Sequence, residues 1–112
     1  MKIAIPITNN LLCHHFGHCE QFALVDIDET TKKITSRKDI PAPSHEPGAL
    51  PVWLAEQGVN LVIAGGIGAR AVELLKQNKI ESVIGADVLS PEKLVTSYLE
   101  GALQQGKNSC DH

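Results

Sequence analysis

The sequence predicts an α/β fold of three layers, α/β/α, with a mixed five-stranded sheet between helices. Two observations carry the prediction. The first half opens with three strand-like segments in a row, joined by connections short enough for antiparallel neighbours. The second half alternates short apolar runs with helical patterns, which predicts parallel strands with crossover helices. The element order is β-β-β-α-β-α-β-α.

The elements follow in chain order. Ile3, Ile5 and Ile7 alternate with Ala4 and Pro6, the period of a half-buried strand, although Pro6 removes one ladder donor. Thr8 to Cys19 reads as a loop rich in polar and ligand-type residues. Gln21 to Ile27 is a strongly apolar second strand, and Asp28-Glu29-Thr30-Thr31 is a turn. Lys33 to Ile40 is a third strand. Lys32, Lys33, Arg37 and Lys38 read as a solvated edge, which discourages unwanted pairing. After the loop Pro41 to Gly48, a helix from Ala49 to Gln57 places Leu50, Trp53 and Leu54 on one face and stops at Gly58. Leu61 to Ala64 is a continuous apolar run, the mark of a strand covered on both faces. Gly65-Gly66-Ile67-Gly68 turns into a helix from Ala69 to Gln77, and Ser82 to Ile84 is another buried strand. Ser90 as N-cap and Pro91 at the first helical position start a last helix, with Leu94, Val95, Tyr98, Leu99, Ala102 and Leu103 as one apolar stripe. Trp53 and Tyr98 read as packing residues. This order is that of the ribonuclease H-like layout. The nuclease form of that layout carries carboxylates on its first strand, and Lys2 to Thr8 has none, so a nuclease is disfavoured.

Composition bounds the function. The 112 residues fit one domain, expected over residues 1–105, with 106–112 as a flexible Cys/His tail. The formal charge of −3 gives no basic surface for nucleic acid, so no nucleic-acid partner is expected. No apolar run reaches the ~20 residues of a membrane span and no signal peptide is visible, so the expected location is cytoplasmic with no membrane partner. Three cysteines beside five histidines favour ligands or thiols over a disulfide framework.

The densest chemistry is Cys13-His14-His15-Phe16-Gly17-His18-Cys19. Thiolate and imidazole suit zinc, copper, iron and iron–sulfur species better than magnesium or calcium. Gly17 allows a sharp turn, so ligands on either side can converge. His15 and Cys19 are the favoured pair, His18 is a further candidate, and Cys13 and His14 read as bystanders. His45 joins the site only if its loop lies beside the first one. The Gly65, Gly66, Ile67, Gly68 turn opens a helix, where it either cradles an anion or simply packs tightly. It matches neither the dinucleotide fingerprint nor the P-loop. Cys110 and His112 are either a chelating pair or an incidental tail. No orienting acid or oxyanion hole accompanies any nucleophile, so no enzyme activity is expected.

The opening KIAIP, His15-Phe16-Gly17-His18-Cys19, His45-Glu46-Pro47-Gly48, and Leu61 to Gly68 followed by Arg70-Ala71 together resemble the dinitrogenase iron–molybdenum cofactor biosynthesis family over almost the whole chain. The resemblance implies a ribonuclease H-like α/β/α fold and non-catalytic binding, carriage or storage of an iron- or molybdenum-containing sulfur cluster. It implies that the first loop (with Phe16 and Gly17), the His45 loop and the glycine turn surround the ligand. His15, Cys19 and His45 are then the ligands, and Gly65 to Gly68 are backbone contacts. The Cys110 and His112 tail resembles the Cys/His-containing ends of some relatives. Protein partners in cluster assembly or delivery would follow. Two other functions stay open: a mononuclear zinc or copper carrier or sensor using the same loops, and a module for a small anionic metabolite at the glycine turn.

Overall fold

A computed structural model describes residues 1–13, 19–42, 49–86 and 88–101. The elements are β1 (Lys2–Thr8), β2 (Leu11–Leu12), β3 (Gln21–Asp28), β4 (Lys33–Pro41), α1 (Ala49–Glu56), β5 (Leu61–Ala64), α2 (Ala69–Gln77), β6 (Glu81–Ile84) and α3 (Pro91–Leu99). The sheet runs in the order β4-β3-β1-β5-β6, with β2 paired to β1 off that path. β3 is antiparallel to β1 and β4 antiparallel to β3, whereas β5 is parallel to β1 and β6 parallel to β5. The mixed α/β sheet with helices on both faces is as the sequence predicts.

The sheet separates two cores. On one face Ile3, Ile5, Ile7, Val25 and Ile63 pack under Leu94 and Val95 of α3. On the other, Ala4, Phe22, Leu24 and Val62 pack under Leu54 of α1 and Leu75 of α2. The strict alternation along β1 produces this division, since successive side chains leave opposite faces of a strand. Trp53 of α1 packs on Phe22, with ring centroids 5.7 Å apart and planes tilted by 53°.

Helix ends are set by backbone chemistry. Gly58 has φ +81 and ends α1. Its N–H donates to the Ala55 carbonyl, and the Val59 N–H donates to that of Leu54. This left-handed stop explains the glycine. The same pair of bonds ends α2, but there Lys79, with φ 62, holds the left-handed position. Pro91 starts α3 as expected, whereas Ser90 stands at the N-cap position without a side-chain capping bond.

Two expectations change. The segment after β1 is not all loop. Asn9 and Asn10 both have positive φ, 55 and 66, so they make the two-residue turn that suits a tight hairpin. The chain therefore folds back as β2, pairing Leu12 with Ile7 and Leu11 with Thr8, and adds a sixth strand. Pro6 tolerates this position because the Cys13 N–H donates to its carbonyl at 2.9 Å. A residue's N–H and C=O leave a strand on the same side, so the missing donor of Pro6 faces short β2 and the ladder to β3 is intact. The second change concerns Arg37, which is not a solvated edge residue. Its side chain is 19% exposed and bonds to Asp39, Asn10 and Glu92, because the β4 face carrying it meets α3.

Candidate functional site

The strand registers bring four chain segments to one end of the sheet. Ile7, near the end of β1, pairs with Gln21 at the start of β3. Gln21 pairs with Pro41 at the end of β4. Ala64 and Ile84, the last residues of β5 and β6, pair with each other. The carboxyl ends of β1, β4, β5 and β6 therefore share an edge, where open α/β sheets place their ligands. Cross-links join the bases of these segments. The Ala42 N–H donates to the Glu20 carbonyl at 3.1 Å, and the Gly85 N–H to that of Gly65 at 3.1 Å.

Among the predicted ligands, Cys19 lies at this edge. It is 6% exposed and belongs to the core cluster of Phe22, Val62, Ala64 and Ile67. Burial pushes its thiol up to about 12, the neighbouring Cys13 adds to the rise, and a bond to its own backbone opposes it. As folded here Cys19 is a neutral thiol and behaves as a small hydrophobe. Coordination would have to displace its proton, as for any thiol ligand.

Cys13, which reads from the sequence as a bystander, lies beside Cys19 in the fold. The bond to Pro6 continues the β1–β2 ladder and turns its side chain to the same face as Cys19, where it packs, half-buried, on the same cluster. The overlooked signal is the Asn9-Asn10 turn. Recognising it as a hairpin fixes which residue lies across from Pro6.

Gly65, Gly66 and Ile67 are buried at the end of β5, and Gly68 is exposed as the N-cap of α2. Gly68 has φ −63 and ψ 149, and among the described residues a Cβ there would meet nothing within 4 Å. Close packing therefore does not require glycine at position 68. The helix behind it starts without a side-chain cap and without an acidic residue in its first turn, so its own first turn offers nothing acidic to the positive end of its dipole. Cys19 and Ile67 belong to one hydrophobic cluster, so the first segment and the glycine turn lie over the same face of the sheet.

His14, His15, Phe16, Gly17, His18, His45, Cys110 and His112 lie outside the described residues, as do Ala102 and Leu103 of the predicted stripe. Among the described residues no three Cys, His, Asp or Glu side chains form a metal-holding group. No helix among them is long and apolar enough to cross a membrane. A cleft of about 490 Å³ lined by Met1, Glu29, Asn60, Leu61, Lys79, Glu81 and Tyr98 sits at the opposite end of the sheet and includes none of the candidate residues.

Comparison with known proteins agrees with this architecture. A family model described as dinitrogenase iron-molybdenum cofactor matches residues 1–101. The chain is 37% identical over 108 residues to the uncharacterized protein MJ0580 of Methanocaldococcus jannaschii, covering 94% of this chain and 91% of that one. The crystal structure of PH0822 superposes with a TM-score of 0.84 at 27% identity over 94% of both chains. The apo form of the orange protein from Desulfovibrio gigas shares the fold, with a TM-score of 0.72 at 20% identity over 96% of this chain and 93% of that one.

Proposed function

Since the chain belongs to the dinitrogenase iron–molybdenum cofactor family, we propose that it binds and carries an iron- or molybdenum-containing metal–sulfur cluster, as cargo rather than as the centre of a reaction. One observation carries the proposal: two thiols, Cys13 and Cys19, pack in one cluster with Ile67 of the glycine turn at the carboxyl end of the sheet. Soft thiols select iron, copper and sulfur-bound metals over magnesium or calcium. The uncapped start of α2 supports a cargo with net negative charge. His15, His18 and His45, with Cys110 and His112, are the further ligand candidates, and Phe16, Gly17 and Gly65 to Gly68 are candidate contacts. Thiol ligation also suits a reducing, cytoplasmic setting.

Cys19 suits carriage better than permanent storage. A thiol that is neutral and buried without metal returns to a stable state when the load leaves.

The test is anaerobic reconstitution with iron, molybdate or copper plus sulfide, followed by elemental analysis, acid-labile sulfide and visible absorption. Wild type is compared with Cys19→Ala, His15→Ala and His45→Ala. The expected result is stoichiometric metal with sulfide and charge-transfer bands, lost in the variants. One zinc or copper per chain without sulfide would establish the mononuclear carrier instead. No retained metal would overturn both and direct attention to an anionic metabolite at the glycine turn.

A further inference from the structure

Arg37 sits on β4, with β3 between it and β1. Its guanidinium nevertheless grips three segments. Nε and Nη2 donate to the two carboxylate oxygens of Asp39 at 2.8 and 3.0 Å. Nη1 donates to Glu92 in the first turn of α3. Nη2 also donates to Oδ1 of Asn10, in the β1–β2 turn, at 2.6 Å. The two-pronged hold of Asp39 fixes the plane of the guanidinium, so the other contacts are aimed rather than incidental.

The segment gripped through Asn10 is weakly held by its own strand. β2 contributes two residue pairs to the sheet. A strand that short does not fix its own position, so its outside anchors matter. Two such anchors are visible. The Leu12 N–H donates to the Leu89 carbonyl at 3.0 Å, just ahead of α3, and Asn10 is held by Arg37. Both lead to the start of α3, which Arg37 also holds through Glu92. The residue delivered by the hairpin is Cys13, whose N–H bonds to Pro6 and whose side chain lies on the face of Cys19.

We infer that Arg37 is a positioning residue: by holding Asn10 and Glu92 together it fixes the β1–β2 hairpin against α3 and thereby sets where Cys13 is presented at the carboxyl end of the sheet. The effect on cargo rests on the metal-binding function proposed above. The positional effect does not.

Three variants separate the contact from the turn. Asn10→Gly keeps the left-handed turn and removes the acceptor. Asn10→Asp keeps an acceptor at a residue type that tolerates positive φ. Arg37→Gln removes the grip. Each is compared with wild type by the rate of Cys13 alkylation, read by peptide mass, and by amide exchange. Arg37→Gln and Asn10→Gly are expected to speed Cys13 alkylation and Leu12 exchange by roughly fivefold, the worth of one hydrogen bond. Asn10→Asp is expected to restore wild-type rates, and the amides of Ala4 and Leu24 to stay within about twofold throughout. Unchanged Cys13 and Leu12 rates would overturn the inference. A uniform acceleration across the sheet would also overturn it, because Arg37 would then only stabilise the fold. Reconstitution with iron and sulfide supplies the second arm. Metal retention that falls in Arg37→Gln and Asn10→Gly and recovers in Asn10→Asp supports the effect on cargo, and equal retention in all four proteins overturns that effect. If wild type itself retains no metal, the metal-binding function fails, while the alkylation and exchange rates still decide the role of Arg37.

Discussion

The two faces of the sheet share their strands and differ in what they place over them. Under α3 the buried residues are aliphatic: Ile3, Ile5, Ile7, Val25, Ile63, Leu94 and Val95 among others. Under α1 and α2 the cluster contains Phe22 with Trp53 against it, Cys19 and Cys13, and it runs out to Ile67 beside the buried glycines. The first face adds to its packing the Arg37 network that reaches α3, and the second carries two thiols and the glycine turn at its rim. Both faces carry fully buried packing residues, and it is the thiols at the rim of the second that can change at less cost to the fold.

The sharpest way to break this comparison is Leu94→Ala. Emptying that fully buried position should cost about 2–5 kcal/mol, measured by urea unfolding, while metal retained per folded chain stays at the wild-type level. Cys19→Ala should do the reverse, abolishing metal retention for about 1 kcal/mol of stability. A loss of retention in Leu94→Ala at temperatures where it is folded would show that the faces are not independent.

A smaller effect separates the faces by pH. The Cys19 thiol is raised from 9.0 to about 12 in the folded chain. The unfolded chain therefore loses this proton first as pH rises. The contribution is fully present below pH 9 and is lost as pH climbs through the folded value. The unfolding midpoint should fall with rising pH above 9 more steeply in wild type than in Cys19→Ala, and identical slopes would contradict the burial of this thiol. Metal uptake should release the same proton and weaken as pH falls.

Smaller still is Lys79→Gly. A lysine at φ 62 carries a left-handed strain that glycine lacks, so the change should raise stability by about 1 kcal/mol without touching metal retention. The smallest is Gly68→Ala, expected within about 0.5 kcal/mol of wild type because the space is open and φ is −63. A large loss at position 68 would show that something approaches the turn closely.

Local pattern carried much of the architecture. The continuous apolar run Leu61–Ala64 and the helix Ala69–Gln77 appear with the bounds that their patterns predict, because burial on two faces and a 3.6-residue period are written in adjacent residues. β2 was not legible as a strand. Two residues are too few for a period, and the hairpin depends on both asparagines taking positive φ. Arg37 reads as solvated because two of its three partners, Asn10 and Glu92, lie 27 and 55 residues away in the chain, and only the fold brings the β1–β2 turn and α3 to β4. Of the candidate site, residue type and spacing single out Cys19 and the glycine turn, and the fold places both at the carboxyl end of the sheet. The position of Cys13 on the face of Cys19 is not legible in the sequence, because its face is decided by that hairpin. The histidine candidates lie outside the described residues and rest on sequence alone.

The position of β1 also sets an order in time. Its pairing with β3 joins residues about twenty apart, and β3 with β4 closer still, whereas its pairing with β5 brings Ile3 to Leu61. Closing that longer loop costs more entropy and comes later in folding. The antiparallel meander can therefore form while the carboxyl end of β5 is still absent, and Cys19 then has no glycine turn beside it. A nascent chain would present thiols before it presents a site. On the function proposed above, loading would follow completion of the fold, since cargo supplied earlier would meet exposed cysteines with no glycine turn beside them.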